Sequence, residues 1–133
     1  MKYLFDTNIC IYLIKNKPIN VLKRFSKITP EAIAVSNITV AEMYYGIAKS
    51  AKPNQNTIAW EEFLLPLKII DFDKNDARIY GKIRYELEKR GKIIGAMDLL
   101  IGAQALSRNL ILVTNNEKEF NRIEGLKIEN WTK

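Results

Sequence analysis

With 133 residues, 47% of them hydrophobic and 27% charged, the chain is long and apolar enough for one globular domain over residues 1–133 and too well patterned for disorder. Its lone cysteine, Cys10, excludes an internal disulfide or a thiolate zinc cluster, and the absence of histidine removes catalytic triads, imidazole acid–base pairs and His-based metal sites. The net charge of +6, with +3 on each half of the chain, points to a polyanionic partner, nucleic acid before membrane, or else serves solubility alone.

Residues 2–5 are a short apolar run stopped by Asp6, which predicts a buried first strand. The same aspartate interrupts what would otherwise resemble a signal peptide. No run approaches the ~18–20 apolar residues of a membrane span, so a cytoplasmic protein with no membrane partner is expected. Asp6-Thr7-Asn8 can cap a helix over about residues 8–15, with Ile9, Tyr12 and Leu13 on one face. Pro18 opens a second short helix through Val21, Leu22 and Phe25, and Ala32 to Val35 predicts a second strand. From Thr39 the spacing of Val40, Met43, Tyr44 and Ile47 is helical. Lys49 to Thr57 reads as a loop joining two helices, Trp60 to Leu65 as helix, and Leu67 to Ile70 as a third strand.

Asp73 can cap a long helix running to Arg90 and ended by Gly91. Asp98 to Leu106 is helical, with Gly102-Ala103 as a close-packing point. Leu110 to Val113 is an apolar fourth strand, Asn116 to Arg122 a short helix, and Lys127 to Trp131 an edge strand. Short apolar strands alternating with helices predict an α/β fold around a mostly parallel sheet, whose sites gather beyond the carboxyl ends of the strands.

Four acids fall at those mouths. Asp6 follows the first strand, Glu42 heads the helix after the second, Asp98 starts a helix, and Glu119 follows the fourth strand. Each has an ordinary structural reading. Asp6 can be an N-cap, and Thr39-x-x-Glu42 and Asn116-x-x-Glu119 both fit a capping box. Gathered in one crevice they would repel, and a divalent cation is the usual compensation. All-oxygen donors suit Mg²⁺ or Mn²⁺, which activate water and stabilise charge on a phosphate without histidine.

The motifs Phe5-Asp6-Thr7-Asn8, Ile38-Thr39-Val40-Ala41-Glu42-Met43-x-x-Gly46 and Ala96-Met97-Asp98-Leu99-Leu100-Ile101 resemble the acidic motifs of PIN-domain ribonucleases. Val113-Thr114-Asn115-Asn116-x-x-Glu119-Phe120-x-Arg122-Ile123 is similar to the C-terminal signature of the VapC toxins in that family. The resemblance runs from Met1 to Trp131 and implies a three-layer α/β/α fold and a Mg²⁺- or Mn²⁺-dependent endoribonuclease. Its metal site would comprise Asp6, Glu42, Asp98 and Glu119, with Thr114 and Asn116 orienting ligands or water. It further implies a VapB antitoxin, a homodimer, structured RNA, tRNA foremost, as substrate, and binding of the toxin–antitoxin complex to promoter DNA. One departure stands out: many PIN domains carry an aspartate where this chain has Asn116, and Glu119, one turn later, is the nearest replacement.

Two other readings remain open. Asp6 would be the nucleophile of a phosphatase, although that chemistry normally wants a second aspartate where Asn8 stands. Alternatively the acids are only caps and the protein is a non-enzymatic nucleic-acid-binding module. Arg78, Lys82 and Lys89 share a helix face that would suit phosphate, or is simply solvated beside Glu86 and Glu88. Tyr44, Tyr45, Trp60 and Phe63 on neighbouring helices would form an apolar patch for a partner.

Overall fold

The computed structural model describes residues 1–133. In chain order the elements are β1 (Tyr3–Phe5), α1 (Thr7–Ile14), α2 (Ile19–Ser26), a 3₁₀ turn (Pro30–Ala32), β2 (Ile33–Ser36), α3 (Asn37–Ala48), α4 (Pro53–Leu64) and β3 (Lys68–Ile70). There follow α5 (Lys74–Lys89), α6 (Ala96–Ser107), β4 (Ile111–Val113), α7 (Glu117–Phe120) and β5 (Ile128–Glu129). The strands form one sheet in the order β3-β2-β1-β4-β5, and every pair in it is parallel.

Strands buried on both faces should be unbroken apolar triplets, as Tyr3-Leu4-Phe5 and Ile111-Leu112-Val113 are. Alternation then divides them between two cores. Leu4, Ala34, Ile70 and Leu112 face Ile83 and Leu87 of α5, Leu99 and Ala103 of α6, and Phe120 of α7. Tyr3, Phe5, Ile33, Val35 and Val113 face Ile9 and Leu13 of α1, Val21 of α2, Ile47 of α3 and Trp60 of α4. Helices therefore cover both faces, and the three-layer α/β/α arrangement expected from the resemblance is present. Gly102 sits where an added Cβ would lie 2.7 Å from Ile123 Cδ1, so the small residue lets α6 close on the segment after α7.

Several boundaries differ from the predicted ones. The loop from Lys49 stops at Lys52, because Pro53 occupies the first turn of α4, where its missing N–H costs nothing. β2 runs one residue further than predicted, to Ser36. The final strand shrinks to Ile128–Glu129, and Trp131 turns inward to meet Tyr3 and Phe5 edge-on at 5.4 and 5.2 Å between ring centroids. The long helix α5 ends as expected: Gly91 takes φ +65°, Gly91 N donates to Glu88 O and Lys92 N to Leu87 O, a Schellman cap. No helix is long and apolar enough to cross a membrane.

Strand order reverses direction at β1: β2 and β3 lie to one side, β4 and β5 to the other. The crevice outside the carboxyl ends of β1 and β4 is thus the switch point where open parallel sheets bind ligands.

Candidate active site

The register across β1 pairs Phe5 with Val35 on one side and with Val113 on the other. The residues that follow, Asp6, Ser36 and Thr114, consequently emerge side by side at the switch point, and all three are buried. Asp6 ends β1 and caps α1. Its Oδ1 accepts from Ile9 N at 2.9 Å, and its Oδ2 accepts a short hydrogen bond from Thr114 Oγ1.

Ser36 has a different task, and it corrects the expectation for Glu42. Its Oγ accepts from Ile38 N at 3.1 Å, so Ser36 rather than Thr39 caps α3. Thr39 lies inside the helix, no capping box forms there, and Glu42 is carried a further turn along α3. Thr7 Oγ1 donates to Glu42 Oε1 at 2.6 Å, while the Thr39 hydroxyl stands 3.4 Å from that of Thr7. Thr7 is therefore the partner that holds Glu42 toward the crevice.

The Asn116–Glu119 capping box is also absent: Asn116 precedes α7 without a side-chain cap bond. Asn116 N instead donates to Thr114 Oγ1 at 3.0 Å. Its Nδ2 reaches Glu119 Oε2 at 3.1 Å and Asp98 Oδ2 at 3.5 Å. One amide thus links the third residue of α6 to α7, and Thr114 links both to Asp6. Of the residues singled out from the sequence, Asp6, Asp98, Thr114, Asn116 and Glu119 form one bonded network. Glu42 joins it through space, its charge acting on both aspartates.

The electrostatics follow from crowding. Burial pushes the Asp6 carboxyl from its ordinary 3.8 up to about 6, against hydrogen bonds from Thr114 and Ile9 that favour the anion; the charges of Asp98 and Glu42 add to the rise. Burial likewise raises Asp98, helped by Glu119 and Glu42 and opposed by Asn116. The ion pairs of the chain are Arg24–Glu129, Arg84–Glu88, Arg108 with Asp73 and Asp76, and Lys133–Glu117. None reaches the four acids. Their neighbours are hydroxyls and an amide, an oxygen-rich set that suits a hard divalent cation. The four carboxylates are not drawn as ligands around one point in this conformation.

Two other sequence-predicted features fare differently. Arg78 donates to Asn75 Oδ1 at 2.7 Å, and Asn75 donates to Ser107 at the carboxyl end of α6, the end opposite Asp98. Arg78, Lys82 and Lys89 are exposed along α5, as a solvated face is. In the supposed aromatic patch Trp60 is 1% exposed and stacks on Phe63 at 5.9 Å, leaving Tyr44 and Tyr45 at the surface. The phosphatase reading meets a direct obstacle: Asp6 is 4% exposed with both oxygens engaged, a poor disposition for a nucleophile.

Comparison with known proteins agrees with this geometry. The PIN domain family matches residues 3–126. Ribonuclease VapC2 of Haemophilus influenzae is 47% identical over 131 residues, covering 98% of each chain. The tRNA(fMet)-specific endonuclease VapC of Shigella flexneri is 41% identical over 132 residues, covering 99% of each. Among solved structures, VapBC2 of Rickettsia felis bound to a DNA fragment from its promoter superposes with a TM-score of 0.90 at 44% identity, covering 98% of this chain and 99% of that one. A parallel sheet with its acids at the β1/β4 switch point, and this likeness along almost the whole chain, place the protein in the PIN-domain family, among the VapC ribonucleases.

Proposed function

We infer that the protein is a Mg²⁺- or Mn²⁺-dependent endoribonuclease, the toxin of a VapBC pair, acting in the cytoplasm on structured RNA, with tRNA as the substrate class. The observation that carries the metal reading is the set of four carboxylates, Asp6, Glu42, Asp98 and Glu119, gathered at one crevice with no cationic side chain in an ion pair with any of them. Repulsion among them costs stability that a caps-only role would not require. A divalent cation held by these oxygens would supply the Lewis-acid charge for phosphodiester hydrolysis.

The chain's own residues prepare for that role. Thr114 and Ile9 N–H hold Asp6 in one orientation, Thr7 holds Glu42, and Asn116 holds Asp98 and Glu119 together. The neutral donors now on these oxygens would yield them to an ion. Support for tRNA comes from the Shigella relative's name, and support for an antitoxin and promoter DNA from the Rickettsia complex. A cavity of about 330 Å³ beside Glu42, lined by Ile11, Met43, Ile47 and Trp60, suits an apolar antitoxin segment. The buried Trp60 indole N–H has no hydrogen-bond partner within the chain.

The test is cleavage of a tRNA transcript with EDTA, with added Mn²⁺ or Mg²⁺, and by Asp98→Asn. Cleavage should vanish in EDTA, return with either metal, and be absent from the folded variant. Cleavage indifferent to EDTA would refute the metal reading, and no cleavage by the metal-loaded wild type would favour the binding-module alternative.

A further inference from the structure

We propose that the cleft at the carboxyl end of α1, formed by Tyr12, Lys15, Lys17 and Asn115, is a second RNA subsite that takes a backbone phosphate adjacent to the scissile one. This inference rests on the ribonuclease reading above.

Three observations place the subsite. The first is position. Asn115 directly follows Thr114, the residue bonded to Asp6, and Asn115 Nδ2 donates to the Tyr12 hydroxyl at 2.8 Å. The cleft therefore opens off the acidic crevice. Lys15 and Ile11 stand on its border with the cavity that Glu42 and Thr7 line.

The second is how the chain brings two cations to one place. α1 ends at Ile14, and Asn16 takes φ 58°, the left-handed conformation that asparagine tolerates. Asn16 N then donates to Leu13 O at 3.2 Å and Lys17 N to Tyr12 O at 3.1 Å. This is a Schellman turn, and it folds Lys17 back over the last turn of the helix so that Lys15 and Lys17 line the same cavity.

The third is charge and chemistry. Neither lysine is in an ion pair. Two unpaired cations on one concave wall, next to four carboxylates, offset the repulsion that the acids would exert on an incoming polyanion. The cleft has a volume of about 500 Å³, within the ~300–1,000 Å³ range of small-ligand sites and ample for a nucleotide. Asn115 Oδ1 has no partner in the chain and remains free for a ribose or base. The polar wall favours RNA here, whereas the apolar cavity beside it suits a protein segment.

The experiment uses the Asp98→Asn protein in EDTA, so that RNA is bound without being cut, and titrates an initiator-tRNA transcript across a range of salt concentrations. One phosphate contact contributes about 0.7 to the salt slope on an unpaired strand. Adding Lys15→Gln with Lys17→Gln should lower the slope by that amount and weaken binding roughly 5-fold at ~0.1 M salt. The equal-charge control, Arg78→Gln with Lys82→Gln, should change the slope by much less, and Lys15→Arg with Lys17→Arg should keep parental binding. In otherwise wild-type enzyme with metal, the glutamine pair should raise KM and leave kcat unchanged, the mark of binding shared by ground and transition states. Parental affinity and slope in the glutamine pair, or an equal loss in the control, would overturn the subsite while leaving the ribonuclease reading intact. Loss of antitoxin binding with RNA binding unchanged would assign the cleft to the protein partner and overturn the proposal. A parent protein that binds no RNA would refute the ribonuclease reading and the subsite with it.

Discussion

Replacing Asp6 by Asn should stabilise the metal-free protein at neutral pH and destroy its activity. Asp6 is 4% exposed, and burial, with the charges of Asp98 and Glu42, raises its carboxyl from 3.8 to about 6. A rise of that size corresponds to about 3 kcal/mol of preference for the neutral form. Because the folded value lies above the unfolded one, the associated stability is fully present below pH ~4 and is lost as pH climbs through ~6. At pH 7 the wild-type apo-protein has forfeited all of it. Asparagine stands in for the neutral carboxyl: its Oδ1 still accepts from Ile9 N, so α1 keeps its cap. For a domain of 133 residues, roughly 4 °C per kcal/mol predicts a melting temperature higher by up to ~12 °C at pH 7 in EDTA. The two curves should converge as pH approaches ~4. Saturating Mn²⁺ should reverse the order, since only the wild type retains the full acidic set, and a ligand at about a thousand times its Kd adds about 4.1 kcal/mol. Thermal melts across pH, with EDTA and with Mn²⁺, make the comparison. An Asp6→Asn melting temperature at or below wild type at pH 7 in EDTA, or a difference that ignores pH, would refute the electrostatic argument.

Glu42→Gln should fold normally and cleave no RNA, because Thr7 can still donate to the amide oxygen while the charge is gone; circular dichroism and a cleavage assay check both halves. Glu119→Gln should lose less activity than Glu42→Gln, since Asn116 continues to bridge toward Asp98, and the ratio of kcat values reads the difference. Asp76→Asn should cost several kcal/mol, of the order of ~3, without touching the acidic crevice, because it leaves the partly buried Arg108 without its closest carboxylate at 3.1 Å. Burial alone would raise Asp76, but hydrogen bonds from Arg108 and from Asp73 N hold it below 3.8. Its contribution is therefore present above pH ~4 and lost on further acidification, so the wild-type and Asp76→Asn denaturation midpoints should draw together at low pH.

The strands were legible because a sheet covered on both faces demands uninterrupted apolar triplets, and Tyr3-Leu4-Phe5 and Ile111-Leu112-Val113 have few other uses. The acids were legible because they stop those strands. What the sequence could not decide is which of several hydroxyl and amide residues caps a helix. Ser36, Asn37 and Thr39 all qualify before α3, and the choice of Ser36 moves Glu42 from a helix terminus to the crevice. Asn116 posed a similar problem: local spacing predicts a cap, whereas the bonds it makes span 18 residues to Asp98. The start of α4 was visible in Pro53, but Asn54, Gln55 and Asn56 resemble a loop more than a helix, and propensity masked the signal. Lys15 and Lys17 gave no sequence cue, since only the left-handed turn at Asn16 brings them to one wall.

The seating of Trp131 has a consequence for how the protein is made. Its ring packs against Tyr3 and Phe5, and its Nε1 donates to Glu129 Oε1 at 2.9 Å, while Arg24 pairs with the same carboxylate at 2.8 Å and lies over the indole at 5.3 Å. The strand that presents Asp6 is thus closed on one edge by β4, and its Tyr3 and Phe5 side chains are covered by a residue well over a hundred positions later. During synthesis, Tyr3 and Phe5 wait for more than a hundred further residues before Trp131 can cover them. Parallel pairing of this kind forms late, because each contact must first close a long loop. A nascent chain would carry Asp6 and Glu42 in the open, without Thr114 to orient one or Asp98 to crowd both. The acids would then be brought together in one step, only after Asp98 and Thr114 have been made.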